Sequence, residues 1–199
     1  MTTISIAALA RLALMALMLL GAAACMADSQ PDAQPGDNQA TAASTASKAV
    51  EALDSQPATV ARIVDGDTVW VAVDQGGGPL AAGATHKLRL LGYDAPEDTK
   101  TTQCGGPEAT SALRRLIPVG STVHLTADRR DTDRYGRFLR YVYTDGGTFV
   151  NREMVRRGHG HAVLYQPNDA HIAAMRQAER DAKRAERGVW GPSCASKDG

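Results

Sequence analysis

The sequence predicts a small β-barrel of five short strands in Greek-key order, with three helices added. Three observations predict it. Apolar residues alternate in five short stretches between Thr59 and Tyr143, the period of half-buried strands. A helical stretch interrupts them after the third strand, and a longer helical stripe follows the fifth. The 199 residues suffice for one ordinary domain of about 100 to 200 residues and exclude two large ones.

In chain order, Val60 and Ile63, then Val69, Val71 and Val73, form two apolar runs separated by Asp65-Gly66, a hairpin signal over Thr59–Val73. The Gly-rich stretch from Gln75 to Ala84 is a loop, and it lacks the Lys-Ser or Lys-Thr of a phosphate-cradling P-loop. His86–Gly92 is the third strand, and Pro96 stops its ladder. Glu108–Leu116 reads as a short helix ended by Pro118 and Gly120. Ser121–Ala127 and Phe138–Tyr143 are the fourth and fifth strands, joined by the polar stretch Asp128–Arg137. Asp145-Gly146-Gly147 turns the chain into a short helix from Asn151 to Val155, closed by Gly158. The last helix is capped by Asn168 or Asp169, and Ile172, Met175, Ala178, Ala182, Ala185 and Val189 form one buried stripe. Its other face is solvated, with Glu179 four residues before Lys183. Five short strands with a helix after the third fit a Greek-key barrel of the oligonucleotide-binding (OB) type.

The net charge is zero, so charge alone names no partner. The balance hides a division: residues 59–199 hold 20 of the 22 basic and 17 of the 22 acidic residues, whereas residues 26–58 hold one basic and five acidic. A mildly basic body, 59–192, therefore follows an acidic tether and is followed by a short tail, 193–199. The tether has no aromatic residue and too little apolar surface to offset its chain entropy, so it reads as disordered, with at most a weak helix at 46–53.

Residues 1–25 read as an export signal, with Arg11 before the apolar run Leu12–Ala24, which is short for a membrane span of about 20 residues. The run extends back to Ile4, which leaves an uncleaved anchor open. Gly21-Ala22-Ala23-Ala24-Cys25 resembles a bacterial lipoprotein signal, which implies lipidation of Cys25 and a membrane-held, cell-envelope protein. A cut after Ala24 or Ala27 by ordinary signal peptidase, giving a periplasmic or secreted protein, is the rival. Three cysteines less Cys25 leave Cys104 and Cys194, an even remainder that in an oxidising compartment is most simply a disulfide. Neither cysteine looks like a core position.

Charge is crowded at three places. Val64-Asp65-Gly66-Asp67-Thr68 sets two carboxylates in a turn; Arg89 lies inside a strand with Asp94 and Glu97 beyond its end; Asp133-Arg134-Tyr135-Gly136-Arg137 puts two arginines and an aromatic in a Gly-containing turn. Carboxylates from two strand ends suit a hard cation such as Ca²⁺ or Mg²⁺, and guanidinium forks suit phosphate. The stretches ARIVDGDTVWV, LRLLGYDAPE, GPEAT, DRYGRFLRYVY, FVNREMVRRG and GVWG, in this order, resemble the staphylococcal nuclease family over about residues 59–192.

That resemblance implies an OB-fold barrel with helices, a single Ca²⁺, and hydrolysis of phosphodiester bonds in DNA and RNA, single strands preferred, leaving 3′-phosphates. It implies that Asp67 and Asp94 ligate the metal through their carboxylates and Ala95 through its carbonyl. It implies Glu97 as general base or water orienter, Arg89 and Arg137 as phosphate-binding catalytic arginines, and Tyr135 as a nucleotide contact beside Arg134. A second nucleotide-pocket aromatic falls near Val163, which suggests weaker base stacking. A non-catalytic OB module binding single-stranded nucleic acid is the alternative, and few aromatics argue against it. His159-Gly-His161 has no third soft ligand and reads as an exposed loop. Arg129 and Arg130 either steer nucleic acid or only solvate their loop. The protein is expected to be a monomer.

Overall fold

The computed structural model describes residues 55–76 and 78–195. The expected export signal, the Cys25 lipidation site, the tether up to residue 54 and the last four residues lie outside the described residues. The elements are β1 (Gln56–Ile63), β2 (Thr68–Val73), β3 (Ala84–Leu90), the two-residue β4 (Tyr93–Asp94), α1 (Gly106–Leu116), β5 (Thr122–Thr126), β6 (Phe138–Thr144), α2 (Val150–Arg156), the two-residue β7 (His161–Ala162), α3 (Ile172–Arg184), a 3₁₀ turn (Gly188–Trp190) and α4 (Pro192–Ala195).

Five strands close into a barrel in the order β1-β2-β3-β6-β5. The hairpin partners are antiparallel, as adjacent strands with short connections must be. Closure comes from two non-local pairings, antiparallel β1 with β5 and parallel β3 with β6. β1 begins three residues before the expected body, because Gln56–Thr59 pair with Leu125–Thr122. Val60 and Ile63 are out of phase for a simple strand, and the irregularity between Val60 and Arg62 returns both to the interior.

The barrel core is built from Val60, Val69, Val71, Leu88, Leu90, Val123 and Val142, all at most 1% exposed. The apolar faces of α1 (Ala109, Ala112, Leu113), α2 (Met154, Val155) and α3 (Met175, Ala178) cover it. Asn151, expected only as a helix start, is a fully buried junction. It accepts from the Val142 amide (2.9 Å) and donates to the carbonyls of Leu91 (2.9 Å) and Arg140 (3.1 Å), satisfying groups where the barrel and α2 meet.

Two expectations for the last helix change. α3 ends at Arg184, so Ala185 is exposed and Val189 belongs to the 3₁₀ turn; Glu186 takes a positive φ of 48° and breaks the stripe. His171 occupies the N-cap position of α3, and no side chain makes a capping bond there, so neither Asn168 nor Asp169 is its side-chain cap. Asn168 instead accepts from the Arg130 amide (2.7 Å) and donates to the Arg130 carbonyl (3.1 Å), tying two loops together. The expected Glu179–Lys183 pair forms at 3.3 Å.

On α2, Glu153 bonds both Arg156 and Arg157 at 2.7 Å. The hydrogen bonds from Arg156, with Arg157 and both charges adding, lower its pKa from 4.5 to about 2 against the opposing effect of burial. A carboxylate lowered on folding adds stability above its unfolded pKa and loses it as the pH falls through the folded one. Glu153→Gln should therefore flatten the decline in stability between pH 4.5 and about 2 and leave the neutral-pH slope unchanged, as read from urea unfolding midpoints across pH.

Candidate active site

Register places the central arginine. Arg89 on β3 lies opposite Thr68 of β2 and beside Leu139 of β6, so its side chain leaves the middle of the sheet. Asp67 immediately precedes β2, and the Leu90 amide donates to the Asp67 carbonyl (2.9 Å), fixing this carboxylate beside β3. Gly66 makes the approach feasible, because a Cβ there would lie 2.7 Å from Ala95 Cβ and 2.8 Å from Ala109 Cβ. Asp94 sits on β4, held by the small β4–β7 ladder through Tyr93–Ala162 and Asp94–His161.

These elements bring three groups to one guanidinium. Arg89 Nη1 donates to Asp67 Oδ1 (2.5 Å), while Nη2 donates to Asp94 Oδ1 and to the Tyr165 hydroxyl (2.8 Å). Asp67 also accepts from the Ala95 amide at Oδ2 (2.9 Å) and from the Thr68 hydroxyl at Oδ1 (3.0 Å). Asp67 and Asp94 thus face one another across Arg89, on one side of the barrel. Arg137 joins through Thr68, its Nη1 lying 3.4 Å from the Thr68 hydroxyl. Asp133 sets Arg137, accepting from its Nε (2.7 Å) and its amide (3.0 Å) and also from the Tyr135 amide (2.9 Å). Tyr135 is 68% exposed and lies under the guanidiniums of Arg134 (4.8 Å) and Arg137 (5.6 Å).

The electrostatics show a deficit of positive charge. Burial pushes Asp67 up to about 7 although Arg89 pulls it down, and Asp65, which accepts from the Asp67 amide (3.1 Å), pushes it further. Burial opposes the charge on Arg89, but Asp67, Tyr165 and Asp94 together hold it firmly protonated. A hard cation fits what remains, since every donor offered is oxygen and the buried carboxylate is short of compensating charge. Among the described residues no group of three or more His, Cys, Asp or Glu side chains forms a ready-made metal cluster. The expected set of two carboxylates and one main-chain carbonyl is sparser than such a cluster.

The structure does not join Glu97 to this network. Its carboxylate accepts from the Thr99 hydroxyl and from the amides of Thr99 (3.0 Å) and Asp98 (3.2 Å), within its own loop. Those bonds, the Thr99 hydroxyl foremost, lower its pKa. The sequence reading also missed Tyr165, placing the second aromatic near Val163. Tyr165 lies beside Arg89 with its ring 5.8 Å from the guanidinium carbon. Its only signal was an aromatic within two residues of the expected position.

Other candidates resolve differently. Arg129 is committed to Asp169 (2.8 Å) and to the Pro167 carbonyl (3.0 Å), so it ties loops together. His159 is half-buried, and His161 meets Trp190 edge-to-face and lies 3.7 Å from Glu179. Cys104 and Cys194 are joined by a disulfide with Cα atoms 5.6 Å apart, and Cys194 is buried, contrary to its expected exposure.

A family model described as staphylococcal nuclease homologue matches residues 87–192, more than half of the chain. The thermonuclease of Staphylococcus hyicus is 32% identical over 134 residues, covering 66% of this chain and 73% of that protein. The chain belongs to the staphylococcal nuclease family. The thermonuclease of Staphylococcus intermedius is 31% identical over 133 residues (66% and 74%), and endonuclease YncB of Bacillus subtilis is 33% identical over 140 residues (68% and 62%). As a staphylococcal nuclease homologue the protein is an enzyme that hydrolyses phosphodiester bonds of nucleic acid, which sets aside the binding-only alternative. The matched region begins at β3 and contains Arg89, Asp94, Glu97 and Arg137.

Asp133 holds three donors of the Arg137 turn, so its loss frees both Arg137 and the exposed Tyr135. Asp133→Ala should lower kcat by about tenfold or more, since misplacement of a positioning group by about 1 Å is that costly. The amides of Tyr135 and Arg137 should exchange faster with solvent, while that of Leu90, bonded to Asp67, should not change.

Proposed function

We propose that the protein is an exported, Ca²⁺-dependent endonuclease. It cuts DNA and RNA with little sequence preference, favours single strands and leaves 3′-phosphates. The observation that carries this reading is the meeting of Asp67 and Asp94, from separate strands, at Arg89, with Arg137 joined to them through Thr68.

The Asp67 and Asp94 carboxylates and the Ala95 carbonyl are the groups to hold Ca²⁺, whose chemistry when bound is to neutralise charge on the phosphate oxygens. Arg89 and Arg137 present fixed N–H donors to the nonbridging oxygens, where negative charge grows in the transition state. Glu97 turns from its resting bonds to align a water and accept its proton. The water oxygen bonds to phosphorus, the P–O5′ bond breaks, the departing O5′ takes a proton from solvent water, and Glu97 returns its proton to solvent, leaving a 5′-hydroxyl and a 3′-phosphate.

Tyr135, exposed beside two arginines, suits an unpaired base stacked next to a phosphate, which favours single strands and is indifferent to sequence. Export is supported by the apolar run Leu12–Ala24 and by the Cys104–Cys194 disulfide, which persists in oxidising compartments. Lipidation of Cys25 would then hold the nuclease at the cell envelope.

Degradation of heat-denatured DNA and of RNA by the purified full chain tests this reading, with Ca²⁺ and with chelator. Wild type should cut both only with Ca²⁺, and Glu97→Gln should cut about 10²- to 10⁴-fold more slowly. Arg89→Lys keeps the charge but loses the fork that spans two carboxylates, and should lose about 10²-fold or more in kcat. Undiminished cutting in chelator would reject the metal, and equal rates for wild type and Glu97→Gln would remove Glu97 from its role.

A further inference from the structure

The loop that carries Glu97 is held by unusual means. Residues 99–103 are all exposed, so no buried apolar side chain anchors the stretch between Glu97 and Cys104. Gln103 grips Glu97 twice: its side-chain Oε1 accepts from the Glu97 amide (2.8 Å), and its amide donates to the Glu97 carbonyl (2.9 Å). The Gly106 amide donates back to the Gln103 carbonyl (3.1 Å), and the Thr110 hydroxyl of α1 donates to Asp98 (2.9 Å).

The residue after Gln103 is Cys104, and its disulfide partner Cys194 lies in the C-terminal segment. That segment is itself fixed to the body. The Val189 amide donates to the Gly158 carbonyl (2.9 Å), and Arg187 Nη1 donates to the Arg156 carbonyl (3.1 Å). Gly105, at a φ of 86°, passes so close to Val189 that an added Cβ would lie 2.5 Å from its Cγ1. Beside that contact lies a solvent-open pocket of about 220 Å³, lined by Cys104, Gly105, Glu108, His159, Val189 and Cys194. The covalent bond and the Gly105–Val189 approach are thus what joins the start of α1 to the C-terminal segment.

Resting on the assignment of Glu97 above, we propose that the Cys104–Cys194 disulfide, acting through Gln103, positions Glu97, so that the nuclease reaches full turnover only when oxidised. A dithiol switches it off: the S–S bond breaks, two thiols form at Cys104 and Cys194, and the dithiol, giving up two electrons and two protons, closes to its own disulfide. Asp67, Arg89 and Arg137 stand on the barrel and its Asp133 turn, and Asp94 is held by the β4–β7 ladder, so all four lie outside the stretch 97–103. Reduction therefore acts on the chemical step and spares binding of nucleic acid and of Ca²⁺. A chain not yet exported from a reducing compartment is held at low turnover.

The test measures kcat and KM of the full chain on heat-denatured DNA with saturating Ca²⁺. The forms compared are oxidised, reduced with dithiothreitol and confirmed by thiol titration, and reoxidised, at a temperature where circular dichroism shows the reduced form folded. Reduction should lower kcat about tenfold or more with KM within about threefold, and reoxidation should restore it. Gln103→Ala, which keeps the disulfide and so remains informative even where the reduced chain unfolds, should show the same split. In a Glu97→Gln background reduction should change kcat by less than about twofold, because the two changes act through one group.

An unchanged kcat in the reduced, folded chain or in Gln103→Ala overturns the inference. So does an equal loss on reduction in Glu97→Gln, which would mean that the disulfide acts elsewhere. A large Glu97→Gln effect without any effect of reduction rejects the disulfide's role alone. Oxidised wild type and Glu97→Gln at equal rates would reject the Glu97 assignment and this inference with it.

Discussion

The guanidinium of Arg89 is the point on which the site depends. It is 11% exposed at the side chain, near the end of a barrel strand flanked on both sides, and it binds Asp67, Asp94 and Tyr165 together. Burying an ion pair carries a desolvation penalty that often exceeds the attraction it gains. Here Asp67 remains short of compensation even with the arginine beside it. A barrel selected only for stability would place apolar side chains at these positions. Retaining two carboxylates around one arginine makes sense when the site must accept charge from outside, a divalent cation at the carboxylates and a phosphate at the guanidinium. Arginine is required because its planar fork reaches two acceptors at once, which a lysine ammonium on its flexible stem does not do in a fixed geometry.

How far the sequence reveals this arrangement depends on whether the signal is local. The β1–β2 hairpin, the α1 position and the amphipathic face of α3 follow from short-range alternation and periodicity. Crowded charge inside and at the ends of apolar strands marked Asp67, Arg89 and Asp94, because a fold has no use for charge there on packing grounds. Barrel closure through β1–β5 and the parallel β3–β6 pair is a matter of long-range register, which alternation does not encode. The shortening of α3 turns on Glu186 adopting a left-handed conformation, an outcome that tertiary contacts impose on a residue with no preference for it. Asn168 reads as a helix cap by position, yet its amide is claimed by the Arg130 backbone, a partner 38 residues away. Tyr165 was missed for a similar reason: it lies in irregular chain after β7, where no period predicts the direction of a side chain.

Loops form the walls of the site, and side chains rather than packing hold each of them. Asp133 closes the turn that carries Arg137 and Tyr135. Asn168, Arg129 and Asp169 join the stretch after β5 to the chain that carries Tyr165. Gln103 and the disulfide fix the stretch that carries Glu97. Loops covering little apolar surface lose their conformational freedom only through such ties. The ties also separate the parts: Asp67 and Arg89 are held by the barrel and Asp94 by the β4–β7 ladder, apart from the ties that fix the stretch carrying Glu97.

The distribution of charge follows the same division. A polyanion approaching the inner carboxylates meets repulsion from Asp65 and Asp67, and Arg89 alone leaves the buried Asp67 short of compensation. Arg134 stands exposed at the rim beside the exposed Tyr135, where positive charge stays in contact with solvent and draws the strand inward, while Arg137, paired with Asp133, lies further in. Arg129 is not part of that rim, being spent on Asp169 and the Pro167 carbonyl. The exposed Arg134 attracts at long range and is screened by salt, whereas the inner carboxylates act over bonding distances and are not. Substrate capture should thus weaken as ionic strength rises, while the geometry that breaks the bond, enclosed and fixed by hydrogen bonds, depends on salt far less.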